Sequence, residues 1–248
     1  MANPFASRAG IVGVGVAIGI TATLLQYFGN PPNMGICVAC MERDIAGALG
    51  LHRAAVVQYL RPEIIGFVIG AFLAALLAKE YRPRGGSAPL VRFFLGVFAM
   101  IGALVFLGCP WRALLRLAGG DWNAVTGLAG LATGIGVGVL FLKSGYSLGR
   151  AYSQKPATGY LLPVLMAGLF LLLVFRVSFA EGGPLFFSQK GPGSQFAPIW
   201  MSLGAGLIVG AIAQRSRFCT MGAIRDVILL RDFHLMSGVA GLLVAAFA

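Results

Sequence analysis

Residues 37–52, CVACMERDIAGALGLH, place two thiols, a Glu-Arg-Asp triplet and a histidine within one short segment of a chain otherwise dominated by aliphatic residues. Residues 219–234, CTMGAIRDVILLRDFH, repeat the arrangement: Cys37 falls on Cys219, Arg43 on Arg225, Asp44 on Asp226 and His52 on His234. The identities between the two segments are confined to side chains capable of chemistry. Within the first copy, Cys37, Cys40 and Asp44 are spaced i, i+3, i+7, which puts them on one face of a helix. Cys40 becomes Gly222 in the second copy, so Cys37 and Cys219 are the symmetric thiols. The remaining cysteine opens the motif GCPWR, where Pro110 favours the first turn of a helix and sets Cys109 at its N-terminus. Partial positive charge at a helix N-terminus stabilises a thiolate or an approaching anion.

Each of these residues has a plainer reading. A cysteine in an apolar helix also serves as a small hydrophobic residue, a description that suits Cys40 best. Cys37-x-x-Cys40 is also the spacing of a redox pair or of half a zinc site, but no second Cys pair or His pair follows to complete four ligands. Arg43, Asp44, Arg225 and Asp226 are costly against lipid. They form either two structural Arg–Asp pairs or a positive field for an anion, with the aspartates orienting the arginines. Arg112, beside Cys109, is a further candidate for that field. His52 and His234 lack a nearby second ligand and read first as hydrogen-bonding or capping residues. Soft thiols near arginines and positive helix ends suit a soft anion bearing sulfur or selenium; a hard oxyanion calls for hydroxyls and more arginines.

The elements that must hold these residues are set by composition. Apolar residues make up 58% of the chain and charged residues 11%, a balance outside the range of soluble domains. Apolar runs near 10–28, 62–78, 90–108, 122–142, 159–179 and 196–213 are each close to the roughly 20 residues that cross a bilayer as a helix. A further apolar run covers 235–248. Lipid requires every backbone group to be paired within the segment, and the runs lack the period-two alternation of a barrel strand. The chain is therefore expected to be an all-α polytopic membrane protein. The first run is too long for a secretion signal, and no small-x-small cleavage site follows it.

The net charge of +11 resides in loops, which orients a membrane protein and does not imply a nucleic-acid partner. Lys79, Arg82, Arg84 and Arg92 mark one cytoplasmic loop, Lys143, Arg150 and Lys155 another, and Arg215 and Arg217 a third segment on that side. The loop 180–195, with Glu181 and Lys190, falls outside. Residues 109–120 are too short to cross and are expected to form a short, re-entrant helix flanked by Trp111 and Trp122 as interfacial anchors. The two chemistry-bearing segments then lie on opposite faces. Such a placement marks inverted repeats, here residues 1–150 and 151–248, whose substrate site lies near the midplane. No nucleotide-binding motif is present, and neither a cofactor nor an enzymatic activity is expected.

The segments CVACMERDIAGALGLH, LGCPWRALLRLAGGDWNAVTGL and AQRSRFCTMGAIRD together resemble the YeeE/YedE family of membrane proteins, named for sulfur-compound transport. Within it, ERDIAGALGLHRAAVVQYLRPEIIGF, AKEYRPRGGSAPLVRF and IRDVILLRDFHLMSG resemble the branch associated with selenium metabolism. The resemblance implies an hourglass of membrane and short helices with inverted halves, in the cell inner membrane. It also implies a narrow central path along which thiols pass thiosulfate or a related anion, with Cys37, Cys109 and Cys219 on that path and Cys40 as an addition. It leaves room for a soluble cytoplasmic sulfur- or selenium-carrier protein that receives the substrate. Family members carry a second Gly-Cys short-helix motif and at least one more span. This sequence ends at Ala248, inside the apolar run expected to precede them, so the second half is expected to be truncated.

Overall fold

A computed structural model describes residues 5, 7–106, 108–175 and 185–247. They form ten α-helices: α1 (Arg8–Tyr27), α2 (Val38–Ala48), α3 (Pro62–Leu77), α4 (Pro89–Val105), α5 (Pro110–Ala118), α6 (Asn123–Lys143), α7 (Pro156–Val174), α8 (Ile199–Ser216), α9 (Thr220–Leu230) and α10 (His234–Phe247). Glu181 and the end of the 159–179 run lie outside the described residues. Among the described residues, four helical stretches are long and apolar enough to cross a membrane: α1, the stretch containing α4, α6 and α7. The chain is an all-α, multi-pass membrane protein.

Proline starts several of these helices. It occupies the first turn of α3, α4, α5 and α7, where its missing N–H costs nothing. Ser7 starts α1 by accepting a hydrogen bond from the Gly10 amide at 3.0 Å. The runs at 62–78 and 235–248 form shorter helices than full spans. With 16 and 14 residues, α3 and α10 extend about 24 and 21 Å at 1.5 Å per residue, against a hydrocarbon core of about 30 Å. Both pack against partner helices, α3 on α8 and α10 on α1.

Those pairings are built on glycine. A Cβ on Gly66 or Gly70 of α3 would stand 2.4 or 2.1 Å from backbone oxygens of α8, and one on Gly210 of α8 would stand 2.1 Å from Phe67 O. A Cβ on Gly15 of α1 would likewise collide with the backbone of α10 at Gly238. Small residues at i, i+4 let membrane helices approach until their backbones touch, where dispersion supplies the attraction that lipid does not. Ascending residues of α1 meet ascending residues of α10 (Gly15 with Gly238, Gly19 with Leu242), so the two run parallel. The pair α3 and α8 is parallel too: Asn30, just beyond the C-terminus of α1, contacts the N-terminal ends of both. Hence α1 and α10 run one way through the bundle, and α3 and α8 run the other.

The opposite ends of α3 and α8 meet at Glu80, which receives Arg215 at 2.7 Å and Arg217 at 3.4 Å. The loops at 79–92 and 143–155 pair as two-residue strands, β1 (Arg84–Gly85) against β2 (Tyr152–Ser153). All three basic segments therefore lie at one end of the bundle. At the turn between α5 and α6, Arg116 and the Asn123 amide hold the Asp121 carboxyl below its usual range.

Two sequence expectations change. Trp122 is exposed as an interfacial residue would be, but Trp111 is packed inside, with its ring 6.1 Å from Phe67 and 5.9 Å from Phe218. It touches both hydrophobic clusters of the core, because the first turn of α5 points inward. The two short strands were not anticipated; a two-residue pairing has no periodicity to read.

Candidate functional site

The three cysteines at Cys37, Cys109 and Cys219 occupy the same structural position, the N-cap of α2, α5 and α9. Each has extended backbone just before its helix, so the thiol stands beside free amides of the first turn. Cys219 Sγ accepts from the Gly222 amide at 3.3 Å. Around Cys109 the amides of Val38, Trp111 and Arg112 face the thiol. Cys40 sits one turn into α2.

The structure brings Cys37, Cys40 and Cys109 together. The Cys37, Cys40 and Cys109 thiols pack in one hydrophobic cluster, and all three are buried and unbridged. Arg112 closes the group, donating from Nη1 to Cys40 Sγ at 3.1 Å. Met34, Met41 and Met100 pack in the same cluster, so the surroundings are rich in polarisable sulfur. Two helix N-termini, those of α2 and α5, converge on one buried spot that carries three soft donors and one guanidinium.

Cys219 is not part of that group. It is exposed and lines a cavity of about 1180 Å³ bounded by α4, α5, α6 and α9. Gly108 and Pro110, on either side of Cys109, line the same cavity, as does Arg225. Most of the wall is glycine and aliphatic or aromatic side chain, including Gly130, Gly134 and Gly138 of α6. One thiol and the residues flanking another thus line the same space.

The repeated Arg–Asp motif adopts one geometry in two environments. Arg43 donates Nε and Nη2 to Asp44 Oδ1 at 3.1 and 2.7 Å, and Arg225 does the same to Asp226 at 2.9 and 2.7 Å. Asp44 is fully buried and its second oxygen receives Arg61, with Nε at 2.8 Å and Nη2 at 2.7 Å. Arg61 is also fully buried; it donates to Gln195 O and Pro192 O and lies over the Tyr59 ring at 5.1 Å. In the second copy the Arg225 side chain is 51% exposed, and its pair faces the cavity end of α9. His52 takes a capping role: Nε2 lies 2.9 Å from Arg43 O and Nδ1 accepts the Ala54 amide, which the Nε2–H tautomer satisfies. His234 begins α10 and is held by its amide on Asp232.

Sequence reasoning missed Arg61, Glu63, Asn30 and Ser202, all buried polar side chains. Arg61 and Glu63 flank Pro62 at the start of an apolar run, a place where charge normally signals the membrane interface. Two charges on either side of a helix-starting proline were the available signal. Among the described residues no group of three or more His, Cys, Asp or Glu side chains is arranged to hold a metal ion.

The helices and this buried polar and thiol interior define a multi-pass membrane protein. Over 83 residues the chain is 37% identical to the fluoride-specific ion channel FluC 2 of Parasynechococcus marenigrum (strain WH8102). That match covers 34% of this chain and 58% of the relative. No protein-family model matches the chain, and no solved structure matches it.

Proposed function

We propose that the chain is an inner-membrane permease, a transporter or channel-like pore, that passes a small soft anion along cysteine thiols. A selenium compound is the first candidate substrate, and thiosulfate or a related sulfur anion is the alternative. The observation that carries the reading is the convergence of Cys37, Cys40 and Cys109 with Arg112 where two helix N-termini meet. Amide groups, helix dipoles and a guanidinium supply positive field. The thiols offer weak, polarisable contacts to a terminal sulfur or selenium, which hold the anion without trapping it. The cavity between the flanks of Cys109 and Cys219 supports a continuation toward the end of the bundle that carries the basic loops, the cytoplasmic end by the distribution of Lys and Arg. The opposed directions of α1 and α8, each leading to a Cys-Arg-Asp copy, support inverted halves. A soluble cytoplasmic sulfur- or selenium-carrier protein remains part of the proposal on the family resemblance alone.

A second reading, a membrane thiol–disulfide protein, is favoured by the contact between the Cys37 and Cys40 thiols. The deciding experiment is uptake by cells of labelled selenium compounds, thiosulfate and, because of the partial relative, fluoride. The chain is compared with Cys109→Ala and Cys219→Ala variants at matched membrane expression. Loss of soft-anion uptake in both variants supports the thiol path. Unchanged uptake in both sinks it. Fluoride movement that persists in both variants transfers the reading to a fluoride conductor, and a disulfide between Cys37 and Cys40 that cycles with cellular redox state favours the redox protein.

A further inference from the structure

At the junction of α1, α3 and α8 lies a carboxyl group that the thiol path does not use. Glu63, in the first turn of α3, is 1% exposed. Its Oε1 accepts from Asn30 Nδ2 at 2.7 Å and from Ser202 Oγ at 2.9 Å. Asn30 is itself fixed, donating to Gly35 O at 3.0 Å and accepting the Ala197 amide at 2.9 Å. The frame around Glu63 is therefore rigid and drawn from three separate parts of the chain. Among the described residues no donor reaches Oε2, which is buried.

No cationic side chain among the described residues pairs with this carboxylate. Arg61, two positions earlier, is committed to Asp44 and two carbonyls. On α8, Arg215 lies at the far end on Glu80, and on α1 the charged residue is Arg8, at the opposite end from Asn30. The charged residues of α2 are Glu42, Arg43 and Asp44, and Asp44 holds both Arg43 and Arg61. Tyr59 stacks on Phe196 at 4.5 Å. A buried carboxylate with one bare oxygen and no counter-charge is strongly unfavourable, whereas the same site with one added positive charge is not.

We propose that Glu63 is a coupling-cation site: its Oε2, framed by Asn30 and Ser202, takes up one monovalent cation, a proton or a sodium ion. The proposal rests on the permease reading for its role, which is to let an anionic substrate enter with compensating charge, but its test does not. The apparent melting temperature of the detergent-purified chain is measured in sodium chloride against choline chloride, and between pH 5 and 8. The wild-type chain gains roughly 4 °C at ten times the dissociation constant of the cation it takes. A response to sodium at constant pH identifies sodium; a response to acidification alone identifies the proton. Glu63→Gln keeps an acceptor for Asn30 and Ser202 and loses the response. Glu80→Gln, which removes a carboxylate at the other end of α3, keeps it. Should Glu63→Gln fail to yield folded protein, Glu63→Asp must retain the response with weaker apparent affinity. A wild-type chain without either response overturns the proposal, and so does a Glu63 variant whose response is unchanged. Either result, found together with cysteine-dependent uptake, removes the coupling site while leaving the permease; the reverse pattern leaves a cation site in a protein of another function.

Discussion

Asparagine at position 44 and asparagine at position 226 are the same substitution in the two copies of one motif, yet the structure assigns them very different costs. Asp44 is buried completely and holds two guanidiniums, Arg43 on Oδ1 and Arg61 on Oδ2. Asp44→Asn keeps the shape and removes the charge, leaving Arg61, also fully buried, with two carbonyl oxygens and no anion. Breaking a buried pair in this way costs about 3–5 kcal/mol, because the remaining charge is neither solvated nor paired. Asp226 faces an arginine whose side chain is half exposed, so Asp226→Asn costs about 0–1 kcal/mol, as for other solvent-screened pairs. At about 2–4 °C per kcal/mol for a chain of this size, the first variant melts roughly 10 °C lower and the second no more than about 4 °C lower. Arg43→Ala falls between them at about 1–2 kcal/mol, since Asp44 keeps Arg61. The assay is thermal unfolding of detergent-purified protein, followed by the monodisperse fraction that survives heating. Equal shifts for Asp44→Asn and Asp226→Asn would refute the reasoning, because they would mean that Arg61 contributes no buried charge to the first site.

Two further outcomes follow from packing and exposure. Gly70→Ala inserts a methyl group 2.1 Å from Leu207 O at the α3–α8 crossing and is expected to destabilise by about 1–3 kcal/mol. Gly134→Ala, where an added Cβ meets nothing within 4 Å, is expected to stay within about 0.5 kcal/mol of wild type, and the same melting assay compares them. A bulky maleimide applied to the native protein labels Cys219 alone, while all four cysteines react after denaturation; intact mass spectrometry counts the adducts, and early labelling of Cys37, Cys40 or Cys109 would contradict their burial.

Much of this architecture was legible because lipid as a solvent leaves few choices. The apolar runs at 10–28, 90–108 and 122–142 correspond to α1, α4 and α6 to within a few residues, since backbone pairing in a bilayer forces a helix wherever apolar length suffices. The short helix after Cys109 was legible from Pro110, which occupies its first turn. What the sequence hid depends on partners distant in the chain. Cys109 meets Cys37 because the N-terminal ends of α2 and α5 share one buried cluster, and neither segment names the other. Arg61 and Glu63 look like interfacial charges until Ser202 of α8 reaches Glu63 and the carbonyls of Pro192 and Gln195 reach Arg61.

The same dependence on distant partners explains why two copies of one motif have come to differ. The first copy passes from α2 to α3 through a long segment, 49–61, which returns Arg61 to Asp44 and seals the site. The second passes from α9 to α10 through Arg231, Asp232 and Phe233, too short a link to return any side chain to Asp226. Pairing of arginine with the following aspartate is therefore the local property of the motif, and burial is a property of the connection that follows it. Where the connection is long, the motif builds a buried support of two arginines on one aspartate, on the helix that carries Cys40. Where it is short, the motif leaves Arg225 and Cys219 facing an open cavity.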